Sequence, residues 1–362
     1  MGEVVRMAET TNSQLCVTGR AFNQLFKDSL TDLTPLEYRF MDLVSVFART
    51  KPNDKAKIVM TFQHMDRRVS MCGDGANDCG ALKQADIGLS LSQAEASISA
   101  PFTSQVGHIG SMVELVKECR AGLATNFSLF NIMATYSLIQ YTSTVISEKF
   151  LQYPADLQYL YWDLVLNFFF ILFIGYTKTA TELSIDRPRS SLFSFTNLAQ
   201  VLIAFGTQVV GQISVIAIYR SVEPDQYARY GGMSNAIANY NEAGTFAEGE
   251  LESDVLFVFV NNIYVAMMLA FNIARPWRNH FFTNLPLMIS VVVILLYNQV
   301  ILLWEGGTWD QFEVHFLPGP KIRWVLFVTS WAFSLLIYIN QKAIFEPLSN
   351  YLVKKYPQHK WL

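Results

Sequence analysis

Two carboxylates four residues apart, Asp74 and Asp78, stand in the string Gly73-Asp74-Gly75-Ala76-Asn77-Asp78. The string follows a short apolar run at 68–72 and opens a helical pattern at 77–84, so it belongs to a strand end and a helix start. Glycines on both sides of Asp74 let the chain turn sharply and leave room beside the carboxylates. Hard oxygen ligands at such a turn suit Mg²⁺, which takes one or two carboxylates and completes its shell with phosphate oxygens and water. The same six residues would also make an ordinary Asp/Asn/Gly turn. Upstream, Lys51, Lys55 and Lys57 surround Pro52. A lysine just inside a helix N-terminus, after a strand, can hold a phosphoryl group electrostatically. Three lysines at this spacing equally fit a solvated helix face.

The elements that must position these groups alternate between two periods. Strand patterns fall at 15–18, 44–48, 68–72 and 87–91, and helical patterns at 36–43, 54–62 and 77–84. Pro35 and Pro52 suit first helical turns. Such alternation predicts a doubly wound α/β unit with a parallel sheet, and in such sheets the chemistry sits at the carboxyl ends of the strands.

The composition divides the chain in two. Of its 362 residues, 51% are hydrophobic, and the mean hydropathy is +0.24. These values are too apolar for an ordinary soluble domain and too charged for a wholly buried membrane protein. Charges punctuate the sequence up to about residue 120, and long apolar runs dominate after it. The net charge of −3 offers no basic field for nucleic acid. Cys16, Cys72, Cys79 and Cys119 show no paired zinc spacing and are expected to be buried, reduced thiols. The first 14 residues are polar and lack the apolar region of a signal peptide.

The strings FARTKPNDKAKIV and MCGDGANDCGALKQADIGLSLSQAEASISAPFTS resemble the second half of the phosphorylation domain of P-type ATPases, in the haloacid-dehalogenase-like superfamily. CGDGANDCGALK with the downstream SLS-x-x-EAS-x-x-APF-x-S run resembles the type V family, B branch, the polyamine or "13A" cation-transporting ATPases. The resemblance implies that Asp74 coordinates a catalytic Mg²⁺ and that Asn77 contacts the phosphoryl group transferred from ATP. It implies that Asp78 holds the loop and its water network beside the metal, and that Lys55 neutralises the phosphoryl oxygens. It implies an α/β partial haloacid-dehalogenase-like phosphorylation domain at 1–120, an all-α transmembrane domain at 121–345 and a cytosolic tail at 346–362. The family nucleophile lies in a DKTGT string, and this sequence has none. The chain is therefore expected to match about the last third of a complete pump. It is expected to lack a nucleophile and nucleotide-binding domain, to be inactive alone, and to need the missing N-terminal portion as its partner.

Six apolar runs are long enough to cross the lipid of a membrane: 126–146, 157–177, 198–219, 255–273, 285–304 and 324–339. An even number puts both ends on one side, expected to be cytosolic. Lys178, Arg187 and Arg189, then Arg275 and Arg278, then Lys342, Lys354 and Lys355 follow alternate spans, in keeping with the positive-inside rule. Glu223, Asp225, Glu242, Glu248, Glu250, Glu252 and Asp254 are expected in a solvated loop on the opposite side.

Asp163 is a carboxylate within an apolar run, where hydrocarbon penalises charge. Asn167 lies four residues on and is expected on the same helix face. Tyr136 and Gln140 have the same spacing on the preceding run. Together the four could hold a cation through a carboxylate, amide oxygens and an aromatic face, or serve as interhelical hydrogen bonds. Gln208, Gln212, Asn261, Asn262, Asn272, Asn298 and Gln299 are expected mostly to satisfy one another. The family branch implies a polyamine carried from the lumen of a late endosome, lysosome or vacuole to the cytosol. An inorganic divalent-cation pump and a catalytically inactive short isoform acting as a membrane scaffold or partner are the alternatives. A phosphatase fused to a membrane anchor fits less well, for want of a nucleophile.

Overall fold

Proline or threonine starts the helices at residues 19, 35 and 52. The computed structural model describes residues 1–26, 33–91, 100–188, 191–244, 247–248, 250–273, 275–304, 311–312, 314, 319–348 and 351. The chain divides into Met1–Val116 and Lys117–Leu362. The first unit runs α1 (Gly2–Thr11), β1 (Leu15–Thr18), α2 (Gly19–Leu25), α3 (Pro35–Leu43), β2 (Val44–Ala48), α4 (Pro52–His64), β3 (Ser70–Gly73), α5 (Cys79–Gln84), β4 (Ile87–Ser90) and β5 (Phe102–Thr103). Thr18 caps α2 by accepting from Ala21 N. Thr34 and Glu37 form a reciprocal capping box on α3, with Pro35 in the first turn.

Every described strand pairing in this unit is parallel. β1 pairs with β2, and β3–β4–β5 form a second sheet. The predicted single sheet is thus two small ones, because no strand among the described residues joins them. Behind β1 and β2, Val5, Phe22, Phe40, Met41 and Met65 make a core, with Phe47 edge-on to both Phe22 and Phe62. α1, α2 and β5 have no counterpart in the predicted pattern.

None of the four cysteines is in a disulfide, Cys16 and Cys119 being exposed and the other two half-buried. They are therefore not the buried thiols expected, since the strand and helices that carry them turn those positions outward or to a loop. Most of the SLSQAEASIS string, the tail beyond 351, and Arg189, Lys354 and Lys355 lie outside the described residues.

The second unit is mostly helical. After α6 (Gly110–Lys149), which begins before the division at Val116, and the short β6 (Gln152–Tyr153) come α7 (Asp156–Ile174), α8 (Phe195–Val222), α9 (Pro224–Tyr230), α10 (Gly232–Ala243) and β7 (Ala247–Glu248). Then follow α11 (Leu251–Phe271), α12 (Leu285–Leu303) and α13 (Pro320–Leu348). Among the described residues, five helices, α7, α8, α11, α12 and α13, are long and apolar enough to cross a membrane. The run at 126–146 lies within α6, which is not one of the five. Its Ser128, Asn131, Thr135, Thr142 and Ser143 are buried polar residues that dilute its apolar content.

α11 is the central post: every residue but Leu269 is buried. Asn261 and Asn262 reach partners on neighbouring helices, as hydrocarbon demands, whereas the Ser253 and Tyr264 hydroxyls find none among the described residues. Trp162 Nε1 donates to Asn261 Oδ1 at 2.8 Å. Asn262 donates to Ser330 Oγ at 3.0 Å and accepts from Asn298 and Gln299. On α8, Gln212 donates to Gln208 at 2.7 Å, and Gln208 to Thr142. Asn131 and Asn197 exchange two bonds of 2.9 Å.

Two of the charges assigned to a solvated loop are not solvated. Glu252 and Asp254 lie in the first turn of α11, 1% and 0% exposed. Glu252 accepts from Gln152 Nε2 at 2.8 Å and Gly232 N at 2.5 Å, and Asp254 from Gln158 Nε2 at 2.9 Å. A helix N-terminus favours anions, so the helix starts at these acids instead of after them. Arg278 is likewise fully buried, donating to Ile174 O, Ile273 O and Asn272 Oδ1. Burial pushes its guanidinium down to about 10.

Asp54, in the first turn of α4, accepts from Asn23 Nδ2 at 2.8 Å and Lys51 N at 3.0 Å. The Asn23 amide, then the Lys51 N–H, holds its carboxyl below the ordinary value. A depressed folded value means that this stabilisation is complete above the unfolded value, about 4. It is lost as pH falls through the folded one. Hydrogen-exchange protection of α2 and α4, corrected for intrinsic rates, should drop below about pH 4, and Asp54→Asn should flatten that drop; an unchanged profile would contradict it. In the second unit, Asn262→Leu removes the acceptor of Asn298 Nδ2 and one of the two acceptors of Gln299 Nε2. It should lower stability in micelles by about 1–2 kcal/mol, measured by denaturant unfolding, whereas a change within about 0.5 kcal/mol would fit an uncoupled site.

Candidate functional site

The ends of β3 and α4 bring Lys55 and Asp78 together. Lys55 Nζ lies 2.6 Å from Asp78 Oδ1, with Lys55 half-buried and Asp78 7% exposed. The pair depends on Gly73: a Cβ there would lie 2.6 Å from Asp78 Cβ and 2.9 Å from its Oδ2. At Gly75 a Cβ would meet nothing within 4 Å, so of the two glycines Gly73 is the one required for closure. Asp74 and Asn77 are exposed on the turn between β3 and α5. Lys51 and Lys57 are exposed as well.

Lys55 is therefore the one of the three lysines tied to the aspartate string. Asp78 is committed to it through one oxygen, and Asp74 presents a free-facing carboxylate. Among the described residues no three Asp, Glu, His or Cys side chains gather into a metal cluster. The hard oxygens of Asp74 and Asp78 fit a Mg²⁺ whose remaining positions go to phosphate and water. Burial, then the Asp74 and Asp78 charges, raises the Cys72 thiol above its ordinary value and keeps it protonated beside the turn.

Two positioning residues lie outside the expected site: Asn23 on α2 and Asp54 at the start of α4, joined by a hydrogen bond of 2.8 Å. Gly19 permits that contact, since a Cβ there would meet Asp54 Oδ2, Arg49 O and Thr50 Cα at 3.0 Å. The sequence signal was present in part: an acid three residues after Lys51 is a capping position.

In the second unit, Asp163 lies in a π-helical stretch of α7, Tyr161–Phe168. Such widened turns recur at functional sites. Asp163 is exposed and accepts from Gln140 Nε2 of α6 at 3.4 Å. Tyr136 is buried one turn before Gln140, its ring 5.6 Å from that of Tyr264. Trp162, beside Asp163, is fully buried and packs 5.8 Å from the same Tyr264 ring.

Asn167 does not join this face as expected. It is 7% exposed and donates to Met133 Sδ at 3.5 Å. The π turn bonds residues five apart, so a spacing of four no longer superposes side chains as it does in an α-helix. The structure thus brings together Tyr136, Gln140 and Asp163 and turns Asn167 into the helix packing. Tyr264, buried between them, was not anticipated.

Relatives cover most of this chain. It is 33% identical over 320 residues to polyamine-transporting ATPase 13A3 of Mus musculus, a match covering 86% of this chain and 26% of that protein. It is 31% identical over 336 residues to cation-transporting ATPase catp-5 of Caenorhabditis elegans, covering 91% and 26%. Vacuolar cation-transporting ATPase YPK9 of Saccharomyces cerevisiae is 29% identical over 356 residues, covering 97% and 23%. The chain spans about a quarter of the length of these curated relatives, less than the third expected. No family model matches it. With the aspartate turn, the lysine clamp and the apolar helices in view, the chain belongs to the 13A-type P-type ATPases, and its sequence fits a C-terminal portion of such a protein.

Proposed function

We propose that this chain forms part of an ATP-driven cation pump, with a polyamine as its cargo. The observation that carries this is Asp163: a carboxylate in a membrane-length apolar helix, exposed, with Gln140 as its one hydrogen-bond partner among the described residues. The other polar residues of α11 and its neighbours are largely spent on one another. A single carboxylate beside an amide and an aromatic ring suits an elongated organic cation. A bare Ca²⁺ takes six to eight oxygen ligands, more than this face offers.

In the longer protein, Met1–Val116 acts as the second half of a haloacid-dehalogenase-like phosphorylation domain. Lys55 offsets the charge on the phosphoryl oxygens, Asn77 contacts them, and Asp78 holds Lys55 and the turn in place. Asp74, with Asp78, would hold Mg²⁺, whose chemistry is to neutralise phosphate charge. The nucleophilic aspartate and the ATP site belong to the missing N-terminal portion, so this chain does not phosphorylate itself. α6 crosses the membrane with the other five helices, its polar side chains facing protein. Both ends then lie in the cytosol, and the protein resides in a late endosomal, lysosomal or vacuolar membrane, drawing the polyamine from the lumen.

The chain alone, incubated with radiolabelled ATP, should give no hydroxylamine-sensitive phosphoprotein; a labelled band would contradict the division of labour. Substituted for the matching quarter of the mouse 13A3 relative, it should restore polyamine-stimulated ATPase activity. Asp163→Asn in that chimera should lower the stimulation about tenfold or more, as loss of a charge-assisted contact does. Undiminished stimulation would remove Asp163 from the cargo path.

A further inference from the structure

α6 and α8 run side by side, joined by Gln208 to Thr142 at 3.1 Å and Ser143 to Gln212 at 3.2 Å. Where both helices finish, a cleft of about 1060 Å³ opens. Lys149 and Phe150 line it from the end of α6, and Ile213, Ile216 and Arg220 from α8. α9 and the first turn of α10 line its other wall. The three α8 residues follow one another at spacings of three and four, so they share one helix face. Ile213 lies about 10 Å from Arg220 along the axis and is 57% exposed. The cleft thus runs from an apolar stripe to a cationic end.

Seven acids fall between residues 223 and 254. Among the described residues none of them lines the cleft, whereas two cations do. Both cations are exposed, and among the described residues neither meets a carboxylate within ion-pair distance. The guanidinium carbon of Arg220 lies 5.9 Å from the centre of the Tyr227 ring. That ring is itself fixed, 9% exposed and edge-on to Tyr219 at 5.8 Å. A ring contact uses the flat face of a guanidinium and leaves its N–H edge for an anion.

These features select one class of occupant. Both cations repel a polyamine, so the cleft is no second cargo site. A small soluble anion satisfies the cations and leaves the isoleucine stripe uncovered. An uncharged lipid does the reverse. An anionic phospholipid answers both, since its phosphate suits the arginine fork and its acyl chain covers apolar surface. We propose that the cleft holds an anionic phospholipid of the adjoining leaflet, its phosphate between Lys149 and Arg220 and one acyl chain along Ile216 and Ile213. This rests on α6 and α8 crossing the membrane together, and not on the identity of the cargo.

The full chain in uncharged micelles tests it, titrated with phosphatidylglycerol or phosphatidylcholine and read by native mass spectrometry as the first lipid bound. Phosphatidylglycerol should bind about tenfold or more tightly than phosphatidylcholine. Lys149→Gln and Arg220→Gln should each weaken phosphatidylglycerol about fivefold, as loss of one cation at a lipid surface does, and leave phosphatidylcholine unchanged. Lys149→Arg keeps the charge and should bind as the parent does. Equal affinity for the two lipids, or parental binding by both neutral variants, overturns the proposal. Glycerol 3-phosphate, the head without the chains, should not displace the lipid; displacement at matched concentrations would make the cleft a site for free anions, and the proposal falls. Both cations are exposed, so the neutral variants should fold as the parent does; unfolding, or a loss of binding in Lys149→Arg, would assign these residues a structural role instead and also overturns it. Asp163→Asn should change neither titration, so the cargo reading can fail while this one stands; a loss of phosphatidylglycerol binding there would contradict a separate site.

Discussion

The interior of a membrane offers no water, so each polar group placed there must be paired within the protein or pay in stability. That constraint organises the second unit. α11 is buried on all sides, and its Asn261 and Asn262 reach α7, α12 and α13. Glu252 and Asp254 fix its first turn, where unpaired N–H groups favour negative charge. Beside the bonded Asn261 and Asn262, Asp163 is conspicuous for its exposure and its single long hydrogen bond. The widened turn that carries it leaves Trp162 packed inward and Asp163 outward.

The first unit answers a different demand, that of keeping opposite charges close at a turn whose Asp74 and Asn77 stay exposed. Gly73 lets Asp78 approach the β3 backbone, and Lys55 then meets Asp78 from α4. The start of α4 is in turn fixed to α2 through Asp54 and Asn23. Fixed charges and N–H groups of this kind, set before the substrate arrives, are what phosphoryl transfer requires of a protein.

Much of this was legible in the residues. β1 and β2 fall on the predicted runs, and α3 and α4 start at their prolines. The aspartate string sits between β3 and α5, and the amides of the spans pair with one another as expected. The departures have particular causes. Glu252 and Asp254 looked like loop charges because linear sequence does not show that a helix N-terminus lies under them. Asn167 was placed by α-helical spacing, and a π turn follows another. The polar residues of α6 count against it on an apolarity scale, although many of them face protein. Tyr264 gave no signal, since a tyrosine in an apolar run is unremarkable until its hydroxyl is seen without a partner.

The central claim is that Asp163 alone among the carboxylates of the second unit's spans faces a cargo path, whereas Glu252 and Asp254 are internal anchors. Labelling with dicyclohexylcarbodiimide, which modifies carboxyl groups in apolar surroundings, tests it when followed by peptide mass spectrometry on the full chain in lipid membranes. The account predicts modification at Asp163, slowed by spermidine, with Glu252 and Asp254 unmodified. Modification of Glu252 or Asp254 in preference to Asp163, or labelling of Asp163 indifferent to spermidine, would contradict it.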